Sequence, residues 1–114
     1  MTTTLKNTDW LVLERLEDLL EERKNHSAET SYVARLYEQG PRKIAQKVGE
    51  EAVEAAIAAT AGDTKELVGE AADLLFHLMI LLQSQGLSLT DVKAELARRE
   101  GMSGLIEKAS RTED

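Results

Sequence analysis

The sequence has no cysteine, a single proline and only four aromatic residues: one Trp, one Phe and two Tyr. Without cysteine there can be no disulfide framework, thiolate zinc site or cysteine nucleophile, and a reducing compartment is permitted. Basic residues are also in short supply, 14 Lys and Arg against 21 Asp and Glu, leaving a net charge of -7. That balance argues against nucleic-acid binding, which needs a basic surface to displace counterions. A polyanionic ligand would have to be bridged to the protein by cations. The N-terminus, Met1 to Lys6, lacks the apolar run of a signal peptide, and no apolar stretch reaches membrane-spanning length on this reading. The expectation is a cytoplasmic protein that contacts no membrane. At 114 residues and 42% hydrophobic, the chain suits one domain over 1–114, with a core about 8–100 and a polar, partly mobile tail about 101–114.

What remains reads as helix. No segment sustains the apolar–polar alternation of a strand, so the fold class is all-α, an antiparallel bundle of four to five helices. The first helix is expected from Thr8 or Asp9 to Lys24, with Leu13, Leu16 and Leu20 on one side. The second runs from Ser31 to Gln39 and closes at Gly40, where Pro41 suits the first turn of a third. That third helix, Arg42 to Ala61, ends at Gly62. Asp63 and Glu66 have the spacing that opens a fourth, which continues to Gln85. Ser88 and Asp91 open a fifth that reaches Arg99 or Glu100. The link at Gly62 is so short that the third and fourth helices should be antiparallel neighbours.

Two acidic motifs occupy that hairpin: Glu50-Glu51-x-x-Glu54 and Glu70-x-x-Asp73. Glu54 and Glu70 are equally far from Gly62, as are Glu51 and Asp73, so each pair should meet at one level. Residues three apart share a helix face and rise about 4.5 Å, which makes a four-carboxylate square. Such a square repels itself unless a cation enters. An isolated acidic motif is ordinarily a solvated face; here the neighbours Ala52, Val53, Ala55 and Ile57, and the apolar run Leu74 to Leu82, predict carboxylates set against apolar walls, which need partners. Oxygen-only ligands favour hard cations, with Mg²⁺ as the default and Mn²⁺ as a substitute. The chemistry that fits is metal-assisted hydrolysis of a phosphoanhydride.

Several neighbours carry two readings. Lys47 serves either a structural pair with Glu50 or Glu51 or a substrate phosphate, and it lies level with His77 across the hairpin. His77 is either a hydrogen-bonded core residue or a ligand. Glu50 is turned about 100° away from Glu51, which suits a salt bridge or, alternatively, a catalytic base. His26 falls in a polar connection. The continuous apolar surface from Leu74 to Leu82 exceeds what one companion helix can cover, which predicts a homodimer packed through these helices.

The strings Lys47-Val48-Gly49-Glu50-Glu51-Ala52-Val53-Glu54 and Glu66-Leu67-Val68-Gly69-Glu70-Ala71-Ala72-Asp73-Leu74-Leu75-Phe76-His77-Leu78 resemble the phosphoribosyl-ATP pyrophosphatases of histidine biosynthesis. These belong to the all-α MazG-like nucleoside triphosphate pyrophosphatases, whose two acidic motifs both stand here. Glu21-Glu22-Arg23-Lys24, Ser31-Tyr32-x-Ala34-Arg35-Leu36 and Gly86-Leu87-Ser88-Leu89-x-Asp91-Val92 extend the likeness over roughly residues 11 to 100. The resemblance implies Mg²⁺-dependent hydrolysis of phosphoribosyl-ATP to phosphoribosyl-AMP and pyrophosphate. It implies metal ligands at Glu51, Glu54, Glu70 and Asp73, the four that the hairpin geometry selects, and a form separate from the cyclohydrolase to which many relatives are fused.

The expected chemistry is attack by an activated water at the α–β linkage, with Glu50 near the acids and Lys47, Lys43, Arg42 and Arg35 available to phosphate oxygens. The segment Arg99 to Gly104 is a further candidate, since small residues expose backbone N–H groups to an anion; its alternative is a fraying helix end. Three other functions share the composition: a housekeeping nucleotide pyrophosphatase, a helical module that binds a structural cation, and an acidic mimic of nucleic acid.

Overall fold

The computed structural model describes the backbone of residues 2–100 and the side chains from Trp10 onward. The tail 101–114, with the Gly101 to Gly104 part of the anion-binding candidate, lies outside the described residues. Five helices follow in order: α1 (Thr2–Arg23), α2 (Tyr32–Gln39), α3 (Pro41–Thr60), α4 (Thr64–Ser84) and α5 (Leu89–Arg99). There is no strand among the described residues. Helix α1 starts earlier than Thr8, since no Gly or Pro between Thr2 and Asp9 stops it.

The sequence punctuation works as local chemistry predicts. Ser31 caps α2 by accepting from the Ala34 N–H, and Ser88 and Asp91 form a reciprocal capping box on α5. Between α3 and α4, Gly62 adopts φ 75°, a left-handed conformation that glycine reaches without a Cβ penalty. The Asp63 N–H reaches back to the Ala58 carbonyl at 3.0 Å, closing α3. The Asp63 carboxylate then takes the Glu66 N–H at 3.0 Å and opens α4. One residue thus ends a helix and starts its antiparallel neighbour.

The core gathers Leu20 from α1, Val33 and Leu36 from α2, Ile44 from α3, and Met79 and Ile80 from α4. Ile44 and Ile80 are wholly excluded from solvent, each worth about 1.5–3 kcal/mol of burial. Polar ties hold α1 to α4 and α5: Gln83 Nε2 donates to the Glu17 carbonyl at 3.0 Å, and the Leu89 N–H donates to Glu17 Oε2 at 2.7 Å.

Two expectations change here. Helix α4 is long and apolar enough to cross a bilayer by length and composition, with a mean hydropathy of 1.4 over its best window, although no such stretch was expected. Within the bundle its His77, Met79 and Ile80 are buried, and it carries acids at Glu66, Glu70 and Asp73. The most exposed apolar side chains of the α3–α4 hairpin also lie elsewhere than expected. From Leu74 to Leu82 every side chain is buried or half-buried, whereas Val53, Ile57 and Val68 are 59%, 61% and 70% exposed. Helices α1 and α2 pack against the Leu74–Leu82 half of the hairpin and leave the half nearer Gly62 uncovered.

Candidate metal and phosphate site

The α3–α4 hairpin brings the two acidic motifs together. One carboxylate oxygen from each of Glu51, Glu70 and Asp73 lies within 4.8 Å of the others. Glu51 is 8% exposed, Glu70 half-buried and Asp73 exposed. The apolar-wall expectation therefore holds for Glu51, in part for Glu70, and fails for Asp73 and Glu54. Around those two, the flanking alanines and valines face solvent.

Glu54 lies outside the three-residue cluster and stands beside Glu70. The Glu54 and Glu66 carboxyls, followed by burial and Glu51, push the Glu70 carboxyl up to about 8. Glu70 Oε2 is closed off from solvent with no hydrogen-bond donor reaching it. Its neighbours are other carboxylates, which only accept, so a proton or a cation must sit between them. The spacing of Glu66 from Asp63 marks a helix start; its backbone N–H does bond to Asp63, and its side chain turns to Glu70. Its position one turn before Glu70 was the available signal.

The donor set suits Mg²⁺ or Mn²⁺. It consists of carboxylate oxygens only, it contains a buried oxygen that lacks a partner, and its 4.8 Å spread is near the roughly 4 Å between opposite ligands of an octahedral Mg²⁺.

On one side of the cluster, Leu16, Tyr32, Lys47, Glu51, Ala72, Asp73, Phe76 and His77 line a cavity of about 540 Å³. Lys47 and His77 meet there as the mirror about Gly62 requires. Lys47 Nζ stands 3.5 Å from Glu50 and 3.8 Å from Glu51. Burial pulls its pKa down, but Tyr32, Glu50 and Glu51 pull harder, so the ammonium holds its proton more tightly than a free lysine. On the other side, a cavity of about 400 Å³ is lined by Glu54, Ile57, Ala58, Ala61, Asp63, Glu66 and Glu70. The first cavity offers a cation to an anionic ligand; the second offers only acids.

The remaining predicted residues sit further out. Glu50 is exposed, accepts from Gln46 Nε2 at 2.9 Å and pairs with Lys47. The Gln46 bond, against slight burial, then Lys47 and Lys43 hold its carboxyl below the usual range. It is placed for the salt-bridge reading. Lys43 is half-buried and Arg42 exposed in the first turn of α3. Arg35 donates to the Ala28 carbonyl at 3.1 Å and lies over the Tyr32 ring. His26 approaches Glu22 at 3.8 Å, away from the acids. His77 is 6% exposed and hydrogen-bonded at both nitrogens, as a core histidine should be. Tyr32, which the sequence offered only as part of a motif, contacts His77 and faces Lys47.

Comparison with known proteins gives a consistent result. Residues 13–100 match the model of the family described as phosphoribosyl-ATP pyrophosphohydrolase. A phosphoribosyl-ATP pyrophosphatase of Novosphingobium aromaticivorans is 59% identical over 101 residues, 89% of this chain and 94% of that protein. One from Erythrobacter litoralis is 59% identical over 99 residues, 87% of this chain and 95% of that protein. The histidine biosynthesis bifunctional protein HisIE of Escherichia coli is 58% identical over 90 residues, which span 79% of this chain and 44% of that protein.

Proposed function

The chain belongs to the phosphoribosyl-ATP pyrophosphohydrolase family, and from that premise we propose how its residues divide the work. The reaction is hydrolysis of phosphoribosyl-ATP to phosphoribosyl-AMP and pyrophosphate, the second step of histidine biosynthesis. The observation that carries the site assignment is the convergence of Glu51, Glu70 and Asp73 beside a cavity that holds Lys47.

Glu51, Glu70 and Asp73 would hold Mg²⁺, with Glu54 completing the set from beside Glu70. Bound there, Mg²⁺ would acidify a water and neutralise charge on the phosphates. Lys47 receives anionic oxygens of the triphosphate, its charge secured by Glu50 and Glu51. Lys43, Arg42 and Arg35 provide a more distant basic border. Leu16, Phe76 and Ala72 line the same cavity and restrict water around the reacting phosphates. Glu50 orients Lys47.

A homodimer and a cytoplasmic setting belong to this reading. Val53, Ile57 and Val68, the exposed apolar side chains near the acids, are the surface a second copy would cover. The acidic balance of the chain leaves nucleic acid outside its partners.

The test is to offer the purified protein phosphoribosyl-ATP, ATP and a panel of nucleoside triphosphates with Mg²⁺ or Mn²⁺, and to quantify pyrophosphate and orthophosphate separately. Pyrophosphate and phosphoribosyl-AMP are expected, with little turnover of ATP. Preference for a simple nucleotide would move the chain to a housekeeping role, and orthophosphate as primary product would contradict cleavage at the α–β linkage.

A further inference from the structure

Tyr32 is the first residue of α2, and three contacts set its ring. It meets the His77 ring edge-on, with centroids 5.8 Å apart at 89°. The Arg35 guanidinium carbon lies 5.8 Å from its centroid, and Arg35 is itself tied to the Ala28 carbonyl. Its hydroxyl is 2.8 Å from His77 Nε2.

The direction of that last bond follows from the other side of the imidazole. His77 Nδ1 is 2.8 Å from the Asp73 carbonyl oxygen, which can only accept, so Nδ1 carries the hydrogen. In the neutral ring Nε2 is then an acceptor, and Tyr32 donates its only proton to it. The Tyr32 oxygen has nothing but lone pairs left to offer. Tyr32 lines the cavity shared with Lys47, Glu51 and Asp73 and is 41% exposed, so an acceptor oxygen is what its hydroxyl brings to that wall.

An oxygen in that state repels phosphoryl oxygens and attracts O–H or N–H groups. The cavity therefore separates two kinds of ligand chemistry: Lys47 receives anionic oxygens, and Tyr32 receives donors. We infer that Tyr32 is a specificity-determining residue, locked by His77 so that its hydroxyl oxygen accepts a hydrogen bond from a neutral donor in the nucleoside portion of the substrate. This rests on the hydrolase reading above for the identity of that substrate. The donor is a ribose hydroxyl or an exocyclic nitrogen of the base, chemistry that inorganic phosphates lack.

The two products separate these roles, since phosphoribosyl-AMP carries the ribose hydroxyls and the base nitrogen and inorganic pyrophosphate has neither. Tyr32→Phe removes the hydroxyl and keeps the ring. Calorimetric titration of the Mg²⁺-loaded protein should show phosphoribosyl-AMP binding weakened about 3- to 10-fold, as for one neutral hydrogen bond, with pyrophosphate affinity unchanged. Repeating the titration with phosphoribosyl-AMP lacking the 2′-hydroxyl, the 3′-hydroxyl or the exocyclic nitrogen identifies the donor: for that form, wild type and Tyr32→Phe should bind alike. Equal weakening of both products, no weakening of either, or a wild-type protein without affinity for phosphoribosyl-AMP would overturn the inference. A wild-type protein that binds phosphoribosyl-AMP, shows the selective Tyr32→Phe loss and releases no pyrophosphate from phosphoribosyl-ATP would instead sink the proposed reaction alone.

Discussion

Glu51 and Asp73 face each other across the α3–α4 hairpin with carboxylate oxygens within 4.8 Å, in one cluster with Glu70. Their meeting is a consequence of counting: each is equally distant from Gly62, whose φ of 75° makes the turn. The same mirror brings Glu54 to Glu70 and Lys47 to the cavity of His77. A turn that fixes register in this way places charges at one level without help from any other helix.

The cluster sets the first prediction. Glu51→Gln, Glu70→Gln and Asp73→Asn should each lower kcat/KM by more than about 100-fold, exceeding the ~10–100-fold typical of groups that only support a metal ligand. Glu54→Gln should approach that loss. Glu50→Gln should cost about 10-fold or less, because its contacts are to Gln46 and Lys47. Steady-state kinetics with Mg²⁺, alongside circular dichroism to confirm the helices, measures this; five variants with near-normal activity would rule out the site.

Lys47 gives a second. Lys47→Met keeps the stem and removes the ammonium, so phosphoribosyl-ATP should show a KM raised roughly 10- to 100-fold, in keeping with loss of a charge-assisted hydrogen bond. An unchanged KM would mean that Lys47 serves Glu50 and Glu51 alone.

Third, the exposed apolar side chains of the hairpin bear on assembly. Val53→Asp combined with Val68→Asp should shift the protein towards monomer in light scattering at micromolar concentration, while Leu11→Asp, on an exposed part of α1, should leave the association state unchanged. A wild-type protein that is monomeric and fully active would discard the dimer.

Helix order and most helix ends were legible because they are local; the start of α1 was not, because nothing between Thr2 and Asp9 punctuates the chain. Gly40, Pro41, Gly62, Asp63, Gly86 and Ser88 are punctuation whose chemistry acts within one turn. The pairing of acids was legible because one glycine fixed the register. Solvent exposure was not: Asp73 and Glu54 have apolar neighbours in sequence, yet Ala52, Val53, Ala71 and Ala72 themselves face solvent. The Tyr32–His77 bond joins residues 45 apart and depends on how α2 docks, which no spacing encodes. Helix α4 likewise has the length and composition of a membrane span, and the packing of its Met79 and Ile80 with α1, α2 and α3 could not be read from that run alone.

A fourth prediction separates fold from site. Ile80 is fully buried among Leu20, Leu36 and Ile44, so Ile80→Ala should cost about 2–5 kcal/mol of stability. Denaturant unfolding should show the loss, while activity at low temperature persists in the fraction that stays folded, in contrast to the acid variants.

The last prediction concerns protons and metal together. Carboxyls of Glu54 and Glu66, with burial and Glu51, push Glu70 from its ordinary 4.5 up to about 8. A carboxyl raised in the folded state favours folding in its protonated form. Its contribution is fully present below about 4.5 and is lost as pH rises through about 8. The metal-free protein should therefore lose thermal stability across that window, and Glu70→Gln, a permanently neutral analogue, should flatten the loss. Mg²⁺ competes with the proton for the same oxygens, so loading the protein at pH 7 should release protons and metal affinity should climb towards pH 8. Calorimetry in buffers of different ionisation enthalpy counts the released protons. Mg²⁺ binding without proton release, in a protein whose melting temperature is flat from pH 5 to 8, would show that Glu70 is already ionised and that the acids are held apart by something other than a shared proton.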